Sequence, residues 1–351
     1  MVHPLNLLAR RLTAQLLAGR PARSPLAVAE RLLAIQGQDP RGARLAIRAR
    51  SVGVDAARID RELTEERSLV ITTLNRGTLH LVRSEDYPLL QSLTTPPLLT
   101  ASTTRLARDG LDLATTARAV ELIDRSIAEE GPLTRVALRE RLARGGIPHL
   151  EHSLVHLVFR ASIEGRIVRG PMISRQHAFA RVADWLPPTP APPRETALAE
   201  LARRYLAGHG PASDRDLARW AGLPLRDARA GLQTIGGELR DLPGGLVDLA
   251  RRARAAPLPP PRLLGAFEPL LLGWSSRAGV LGTDEPHVIS GGVFRNFALV
   301  RGRGVALWRL GSSGGPVEIE PFVSLDPEDA AALARDGDAV KKFLSGANGD
   351  L

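Results

Sequence analysis

The chain has no cysteine, and it has few lysines and aromatic residues. The absence of cysteine excludes disulfide bonds, cysteine-ligated zinc, iron–sulfur clusters and any thiol nucleophile. Lys341 and Lys342 are the only lysines, so arginine supplies 45 of the 47 basic residues, and aromatic residues make up 4%. No apolar run approaches the ~20 residues that a membrane-spanning helix needs, and the N-terminal stretch lacks the pattern of a secretory signal. We therefore expect a cytoplasmic protein.

The charge of the 351-residue chain is +9, and it is unevenly distributed. Residues 1–53 contain nine arginines against two acidic residues, whereas residues 300–351 contain six basic and eight acidic residues. A basic body with a neutral-to-acidic end indicates a polyanionic partner, which for a cytoplasmic protein is nucleic acid first. A GC-rich genome explains the shortage of lysine well, but it explains the local excess of arginine less well.

Hydrophobic periodicity predicts an α+β fold of three tandem winged helix-turn-helix units and a β-rich C-terminal segment. Ser24-Pro25 and Asp39-Pro40 are helix start signals in the first unit. The β-rich runs on either side of Asn75-Arg76-Gly77 predict a hairpin. The predicted domains are residues 3–95, 113–185, 195–250 and 262–351.

Motifs for several common reactions are absent from the sequence. It has no Gly-x-x-x-x-Gly-Lys loop for nucleotide phosphates, and no nucleophile elbow surrounds its serine pairs. His149, His152 and His156 have the spacing of one helical face and form the strongest metal candidate. A polar helix face explains the same pattern more simply, so we expect neither a metal nor a cofactor.

The segment Ile35-Gln36-Gly37-Gln38-Asp39 lies between two predicted helices in the most basic part of the chain. At extended spacing, Gln36 and Gln38 point to the same side. Each amide offers one acceptor and two donors, enough to hold a water molecule or read a base edge. Alternatively, the glutamines only end one helix while Asp39 caps the next. The residues alone leave both interpretations open.

Five segments follow one another along the chain: Leu33–Arg41 (LAIQGQDPR), Asn75–Val82 (NRGTLHLV), Leu264–Gly273 (LGAFEPLLLG), Gly291–Arg295 (GGVFR) and Val305–Trp308 (VALW). Together they resemble the AlkZ/YcaQ family, bacterial winged-helix DNA glycosylases that excise alkylated bases and unhook interstrand crosslinks. The resemblance spans nearly the whole chain. It implies three winged helices in a C shape around DNA at the nucleoid, closed by a β-rich part with a hairpin that enters the duplex.

The resemblance also implies functions for particular residues. Gln36 and Gln38 correspond to the catalytic positions, and the Gln-x-Gln pattern is that of the AlkZ branch, whereas YcaQ-type members have Gln-x-Asp. The AlkZ branch is associated with self-resistance to DNA-crosslinking natural products. We expect the inserting hairpin around residues 273–292. The residues expected to contact DNA are Arg41, Arg44, Arg48, Arg76, His80, Trp274 and Arg277.

Glutamine cannot act as a general base at neutral pH, but it can orient water and stabilise an oxocarbenium-like transition state. This modest help suffices only when the base departs easily, so the expected substrates are double-stranded DNA with cationic N7- or N3-alkylated purines, and interstrand crosslinks. Bifunctional glycosylases need an amine for a Schiff base, and only the N-terminus and two lysines near the tail offer one. The sequence thus predicts a monomeric, monofunctional hydrolase.

A non-enzymatic winged-helix protein is the main alternative, either a transcription regulator or a structural DNA-binding factor. Regulators usually pair one winged helix with a dimerisation or ligand domain and read palindromes. Three units on one chain with an asymmetric charge favour an enzyme that wraps a lesion as a monomer.

Overall fold

A computed structural model describes residues 4–173, 176–312 and 315–345. The chain forms two compact units: unit 1 comprises residues 1–60 and 198–351, and unit 2 comprises residues 61–197. None of the helices in the described ranges has both the length and the apolar composition that a membrane crossing requires.

The N-terminal part of unit 1 is helical because capping residues and prolines start its helices. Ser24 accepts a hydrogen bond from the Ala27 amide, and Asp39 accepts from the amides of Arg41 and Gly42. A proline follows each cap at the first helical position, so both predicted start signals are confirmed. The elements are α1 (Pro4–Ala14), α2 (Pro25–Leu32), β1 (Ile35–Gln36), α3 (Pro40–Arg48) and α4 (Ala56–Thr64), the last of which ends in unit 2.

Unit 2 combines an antiparallel sheet with a helical core. Its elements are β2 (Leu69–Leu74), β3 (Thr78–Arg83), α5 (Tyr87–Thr94), α6 (Leu99–Arg108), α7 (Leu113–Glu130), α8 (Arg135–Arg144), α9 (Leu150–Ile163), β4 (Ile167–Ile173), β5 (Gln176–Arg181) and α10 (Val182–Trp185). Strands β2 and β3 pair around the Asn75-Arg76-Gly77 turn, which confirms the predicted hairpin. Apolar side chains of α6 to α9 and of β5 form the buried core.

The hairpin β2–β3 belongs to the sheet of unit 2. Strand β2 pairs with β4 at Ile71 and Arg169, and β4 pairs with β5, so the four strands follow the order β3, β2, β4, β5. The segment predicted as one domain, residues 3–95, is therefore divided between the two units. Sequence patterns could not show this division, because the pairing of β2 with β4 joins residues about a hundred positions apart.

The C-terminal part of unit 1 contains helices followed by mostly β structure. Strands β13, β12, β11 and β8 form an antiparallel sheet in that order, and β6–β7 and β9–β10 are hairpins. The elements are α11 (Arg194–His209), which begins in unit 2, then α12 (Asp214–Ala221), α13 (Leu225–Thr234), β6 (Leu239–Leu242), β7 (Leu246–Leu249), β8 (Arg262–Leu264), α14 (Pro269–Leu272), α15 (Glu285–Val288), β9 (Ile289–Ser290), β10 (Val293–Phe294), β11 (Phe297–Val300), β12 (Arg303–Arg309), β13 (Glu318–Pro321) and α16 (Pro327–Ser345).

Two stretches have the element order of a winged helix. In the first, α7, α8 and α9 precede β4 and β5, and Leu133, between α7 and α8, bridges to Phe179 on β5. In the second, α11, α12 and α13 precede β6 and β7, and Ala212 bridges to Val247 in the same way. Three helices with a bridging residue and a final hairpin are typical of that motif. The predicted α+β class is confirmed, and the tandem pattern is consistent with it.

Candidate active site

The polar segment of residues 36–38 lies in a short connection between α2 and α3. Helix α2 ends at Leu32, and the buried residue after it, Leu33, has a φ of 63°, which is unusual for a residue other than glycine. Such backbone costs on the order of 1 kcal/mol and persists when surrounding packing fixes it. The chain then extends through Ile35 and Gln36 before Asp39 starts α3. Gln36 and Gln38 thus lie outside both helices.

The two glutamines form a hydrogen-bonded pair. The amide nitrogen of Gln36 donates to the side-chain oxygen of Gln38 at 2.7 Å. Gln36 is 6% exposed, whereas Gln38 is exposed to solvent. The buried amide of Gln36 therefore orients the solvent-accessible amide of Gln38. The oxygen of Gln38 has a second lone pair, so it can accept from a water molecule while it is held by Gln36.

Two glycines allow α3 to lie directly against the segment that follows β8. A Cβ on Gly42 would collide with the carbonyl oxygen of Ala266, and a Cβ on Gly265 would come within 2.9 Å of the Cα of Gly42. Only glycine permits this backbone-to-backbone contact. It fixes the start of α3, just after Gln38, against the C-terminal part of unit 1.

A fully buried ion pair strengthens the same junction. Arg50 and Glu268 both have 0% side-chain exposure, and a nitrogen of Arg50 contacts a carboxylate oxygen of Glu268. Arg50 also donates to the backbone oxygen of Gln15 at 2.9 Å and to its side-chain oxygen at 2.8 Å. Sequence reasoning assigned no role to either charged residue. A glutamate inside the apolar stretch Phe267–Gly273 was the available signal, because a buried carboxylate needs a cation.

Of the arginines predicted to contact DNA near the glutamines, two are held by acidic residues. Arg44 is 3% exposed, and its Nε donates to Asp60 at 2.8 Å. Arg48 donates to both carboxylate oxygens of Asp336, at 2.7 and 3.2 Å. Arg41 is half-exposed. Arg44 is thus buried, whereas Arg41 and Arg48 are both partly exposed, and the contact of these arginines with DNA stays a prediction.

The region expected to carry the inserting hairpin, around residues 273–292, contains part of a hairpin only at its end. Residues 273–288 form turns and short helices, and the hairpin lies later, at β9 and β10, with Gly291 and Gly292 between them. Trp274 is 4% exposed and donates to the backbone oxygen of His209 at 2.9 Å. Arg277 pairs with Glu285 at 3.0 Å. The expected DNA contacts of Trp274 and Arg277 stay predictions, and in this structure both side chains have partners within unit 1.

A cavity of ≈570 Å³ lies beside this hairpin in unit 1. Phe294 of β10, Trp308 of β12 and Ala266 contribute apolar lining, while Asn296 and the ion pair of Arg309 with Glu318 contribute polar groups. Ala266 is also the residue that contacts Gly42. The cavity therefore borders the segment that supports the start of α3.

His80 and Arg76 lie in the β2–β3 hairpin of unit 2. His80 is 2% exposed, its Nδ1 lies 2.9 Å from the carbonyl oxygen of Thr78, and burial, with the charge of Arg76, lowers its pKa to about 3. The ring is thus neutral, with the proton on Nδ1. The buried side chain gives no direct support to the expected DNA contact of His80, which stays a prediction. Arg76 is half-buried in the turn with a φ of 58°.

The three histidines considered for a metal do not converge. His149 precedes α9 in a left-handed conformation, so it does not share the helical face, and Nδ1 of His156 lies 2.5 Å from a carboxylate oxygen of Asp109. Across residues 4–173, 176–312 and 315–345, no group of three histidine or acidic side chains is placed to hold a metal ion.

Helices followed by a hairpin occur twice in the order of a winged helix, a motif typical of DNA-binding proteins. The family described as "DNA glycosylase AlkZ-like" matches residues 29–343, and the chain belongs to this family. The structure is similar to that of the Streptomyces sahachiroi DNA glycosylase AlkZ, with a TM-score of 0.80, 25% sequence identity, and coverage of 98% of this chain and 96% of that one. Curated protein sequences gave no significant match.

Family membership confirms the resemblance seen in the sequence and identifies a hydrolase that acts on DNA. It decides against the regulator and the structural DNA-binding factor considered above. The nature of the lesion and the residues that attack it are separate questions.

Proposed function

We propose that this glycosylase hydrolyses the N-glycosidic bond of cationic N7- or N3-alkylated purines, with Gln36 and Gln38 as its catalytic residues. The observation that carries the proposal is the 2.7 Å hydrogen bond by which the buried Gln36 orients the exposed Gln38. The carboxylate next to them, Asp39, accepts hydrogen bonds from two amides at the start of α3. The polar group that is accessible at this site is therefore the amide of Gln38 and not a carboxylate.

An amide pair suits a reaction whose leaving group is already activated. Gln38 holds a water molecule near C1′, and its dipole stabilises the oxocarbenium-like transition state. As the C1′–N bond breaks, its electron pair neutralises the positive charge of the purine. The water oxygen forms the new bond to C1′ and releases a proton to solvent. Because neither glutamine takes up a proton, neutral lesions lack the assistance that they need.

We further propose that the enzyme is monofunctional and leaves an intact abasic site. A lyase step requires an amine that forms a Schiff base with C1′. The candidate amines are the N-terminus and the two lysines, Lys341 and Lys342, in the last turns of α16, and we expect none of them to act at the glutamine pair. Borohydride added during the reaction is expected to trap no covalent protein–DNA adduct.

The ≈570 Å³ cavity beside hairpin β9–β10 supports a role for bulky lesions. A crosslinked or bulky purine carries a substituent that must stay outside any tight base pocket, and this cavity offers mixed apolar and polar space next to the supporting segment of the site. We propose that the enzyme works as a monomer and unhooks interstrand crosslinks, in DNA repair or in self-resistance to a DNA-alkylating natural product.

The test measures single-turnover release of 7-methylguanine from a duplex. Gln36→Ala and Gln38→Ala are each expected to lower the rate about 100-fold, the cost of losing one oriented polar group in a transition state. Gln233→Ala, which removes an exposed glutamine of α13, is the matched control and should behave like the wild type. A crosslinked duplex is assayed in parallel, since a crosslink-only enzyme would release no 7-methylguanine.

Two results would contradict the proposal. Equal rates on uracil or 8-oxoguanine would show that the enzyme does not depend on a cationic leaving group. Unchanged rates for both glutamine variants would assign the chemistry to other residues.

A further inference from the structure

Arg169 lies on β4, in the middle of a row that crosses the sheet of unit 2. It pairs with Ile71 of β2 on one side and with Phe179 of β5 on the other. Phe179 exchanges two backbone hydrogen bonds with Leu133, of 2.8 and 3.0 Å. Paired residues of antiparallel strands present their side chains on the same face. The guanidinium of Arg169 accordingly lies over the Phe179 ring, 4.4 Å from its centroid.

The backbone beside Arg169 is shaped to hold this position. The pairing of β4 with β5 shifts between Arg169 and Met172, which is a β-bulge. A Cβ on Gly170 would come within 2.9 Å of the Cβ of Ala180, so the two strands approach closely at this point. Bulges redirect side chains and are common beside functional sites.

Arg169 is half-buried and has no acidic partner in the part of the chain that the structure describes, unlike two other half-buried arginines of unit 2. Arg83 contacts Asp86 at 2.7 Å, and Arg181 contacts Asp124 at 3.2 Å. For Arg169, no carboxylate of the described residues lies within ion-pair distance. Its charged neighbour is the exposed Arg135, the first residue of α8, two positions after Leu133. Burial, and secondarily Arg135, lower the pKa of Arg169 to about 10.

This arrangement is unfavourable for the protein alone. A guanidinium that leaves water without an anion loses solvation, and the ring of Phe179 compensates only part of that loss. Repulsion from Arg135 adds to the cost. An anion held by both arginines would reverse the repulsion and satisfy donors of both side chains. The planar, delocalised guanidinium favours an anion with several oxygens, above all a phosphate.

We propose that Arg169 and Arg135 form a phosphate-binding site on unit 2 that holds one phosphodiester of the DNA backbone. The proposal rests on the membership of the chain in a DNA glycosylase family and not on the catalytic role of the two glutamines. The end of the same strand carries exposed apolar side chains, Met172 and Ile173, rather than acidic ones that would repel a phosphate. The site positions the duplex and takes no part in bond cleavage.

Binding of the full-length protein to an undamaged duplex, measured by fluorescence anisotropy over a range of salt concentrations, tests the proposal. Loss of one phosphate contact lowers the slope of log Kd against log salt by about 1 and weakens binding about tenfold near 0.1 M salt. We expect this change for Arg169→Gln and for Arg135→Gln. The double variant should show little further loss, because both residues share one phosphate. Arg169→Lys, which keeps the charge, should retain most of the slope.

The matched control is Arg141→Gln, which removes the same charge from a unit 2 arginine that Glu130 already neutralises at 2.5 Å. It should leave the slope unchanged. The Tm of Arg169→Gln should equal or exceed that of the wild type, because the variant removes an uncompensated charge. Gln36→Ala should bind with the wild-type slope, so failure of this proposal and failure of the catalytic proposal are distinguishable.

Three results would overturn the proposal. An unchanged slope for Arg135→Gln and Arg169→Gln would show that neither residue contacts DNA. A large fall in Tm for Arg169→Gln without a change in slope would assign Arg169 a structural role. Inorganic phosphate that raises the Tm of the wild type but not of Arg169→Gln, while the DNA slope is unaffected, would assign the site to a free phosphate.

Discussion

Arg50 in unit 1 is fully buried and Arg169 in unit 2 is half-buried, but only Arg50 is paired with a carboxylate of the described residues. Arg50 is fully buried, and its donors are taken up by Glu268, by Gln15 and by the carbonyl oxygen of Ala46. Arg169 lies over an aromatic ring and faces another arginine. The first arrangement is complete without a ligand, whereas the second is completed by an anion. The difference separates a charge that holds the fold from one that is available for binding.

The same distinction applies around the glutamine pair. The first 53 residues have the strongest local excess of arginine, yet Arg44, Arg48 and Arg50 pair with Asp60, Asp336 and Glu268. All three acidic partners lie beyond that segment. A high density of arginine in the sequence therefore does not give a high density of available positive charge.

The largest expected effect comes from removing the carboxylate that neutralises Arg50. Glu268→Gln leaves the Arg50 guanidinium buried without a counter-charge, so the free energy of unfolding should fall by about 3–5 kcal/mol. Denaturant unfolding measures the change. The double variant Arg50→Met with Glu268→Leu should recover most of the loss, because two apolar side chains replace the pair. A small effect of Glu268→Gln alone would mean that the pair is not isolated from water.

Low pH allows the same comparison for histidine, because among the described residues each unit contains a buried, neutral histidine. Burial lowers the pKa of His80 in unit 2 and of His209 in unit 1 to about 3, from 6.5. The unfolded chain binds a proton near pH 6.5 and the folded chain only near pH 3. The free energy of unfolding therefore decreases as the pH falls through this window, by up to about 1.4 kcal/mol per pH unit for each histidine.

Replacement of either histidine should reduce that pH dependence. His80→Gln and His209→Gln are each expected to make the free energy of unfolding fall less steeply between pH 6.5 and 4, measured by denaturant titration at several pH values. The exposed His152→Gln is the control and should leave the dependence unchanged. An unaltered dependence in both buried variants would show that these histidines are protonated in the folded protein.

The smallest expected effect comes from a variant of an arginine that already has an acidic partner. Arg48→Gln removes a neutralised arginine close to the glutamines and should cost about 1 kcal/mol of stability, as expected for a partly exposed ion pair. It should not change the salt dependence of DNA binding. If Arg48→Gln lowers the slope as much as Arg169→Gln, neutralisation by an acidic residue does not decide which arginines contact DNA.

The sequence predicted features that depend on neighbouring residues. The helix starts at Ser24-Pro25 and Asp39-Pro40 and the hairpin around Asn75-Arg76-Gly77 all follow from caps, prolines and turn residues. The extended backbone at Gln36 has the same local origin. Five motifs also pointed to the family that the comparisons confirm.

Features that depend on distant residues were not predictable in this way. Arg48 and Asp336 are 288 positions apart, and nothing near either residue indicates the other. Trp274 was expected to contact DNA and therefore to be exposed. In the structure it forms a buried aromatic cluster with Tyr205, His209 and Trp220. In the sequence nothing distinguishes Arg169 from other strand arginines, because its lack of an acidic partner among the described residues is visible only in the structure.

The two units also differ in how the chain builds them, which has a consequence for synthesis on the ribosome. Unit 2 is one continuous stretch, residues 61–197, inserted between the two halves of unit 1. It has a buried core of its own, so all its contacts are available once that stretch has emerged. Unit 1 joins Arg50 to Glu268 and Arg48 to Asp336, and these contacts form only after nearly the whole chain has been translated. Until then, α3, which follows the glutamines, lacks the C-terminal residues that pack against it.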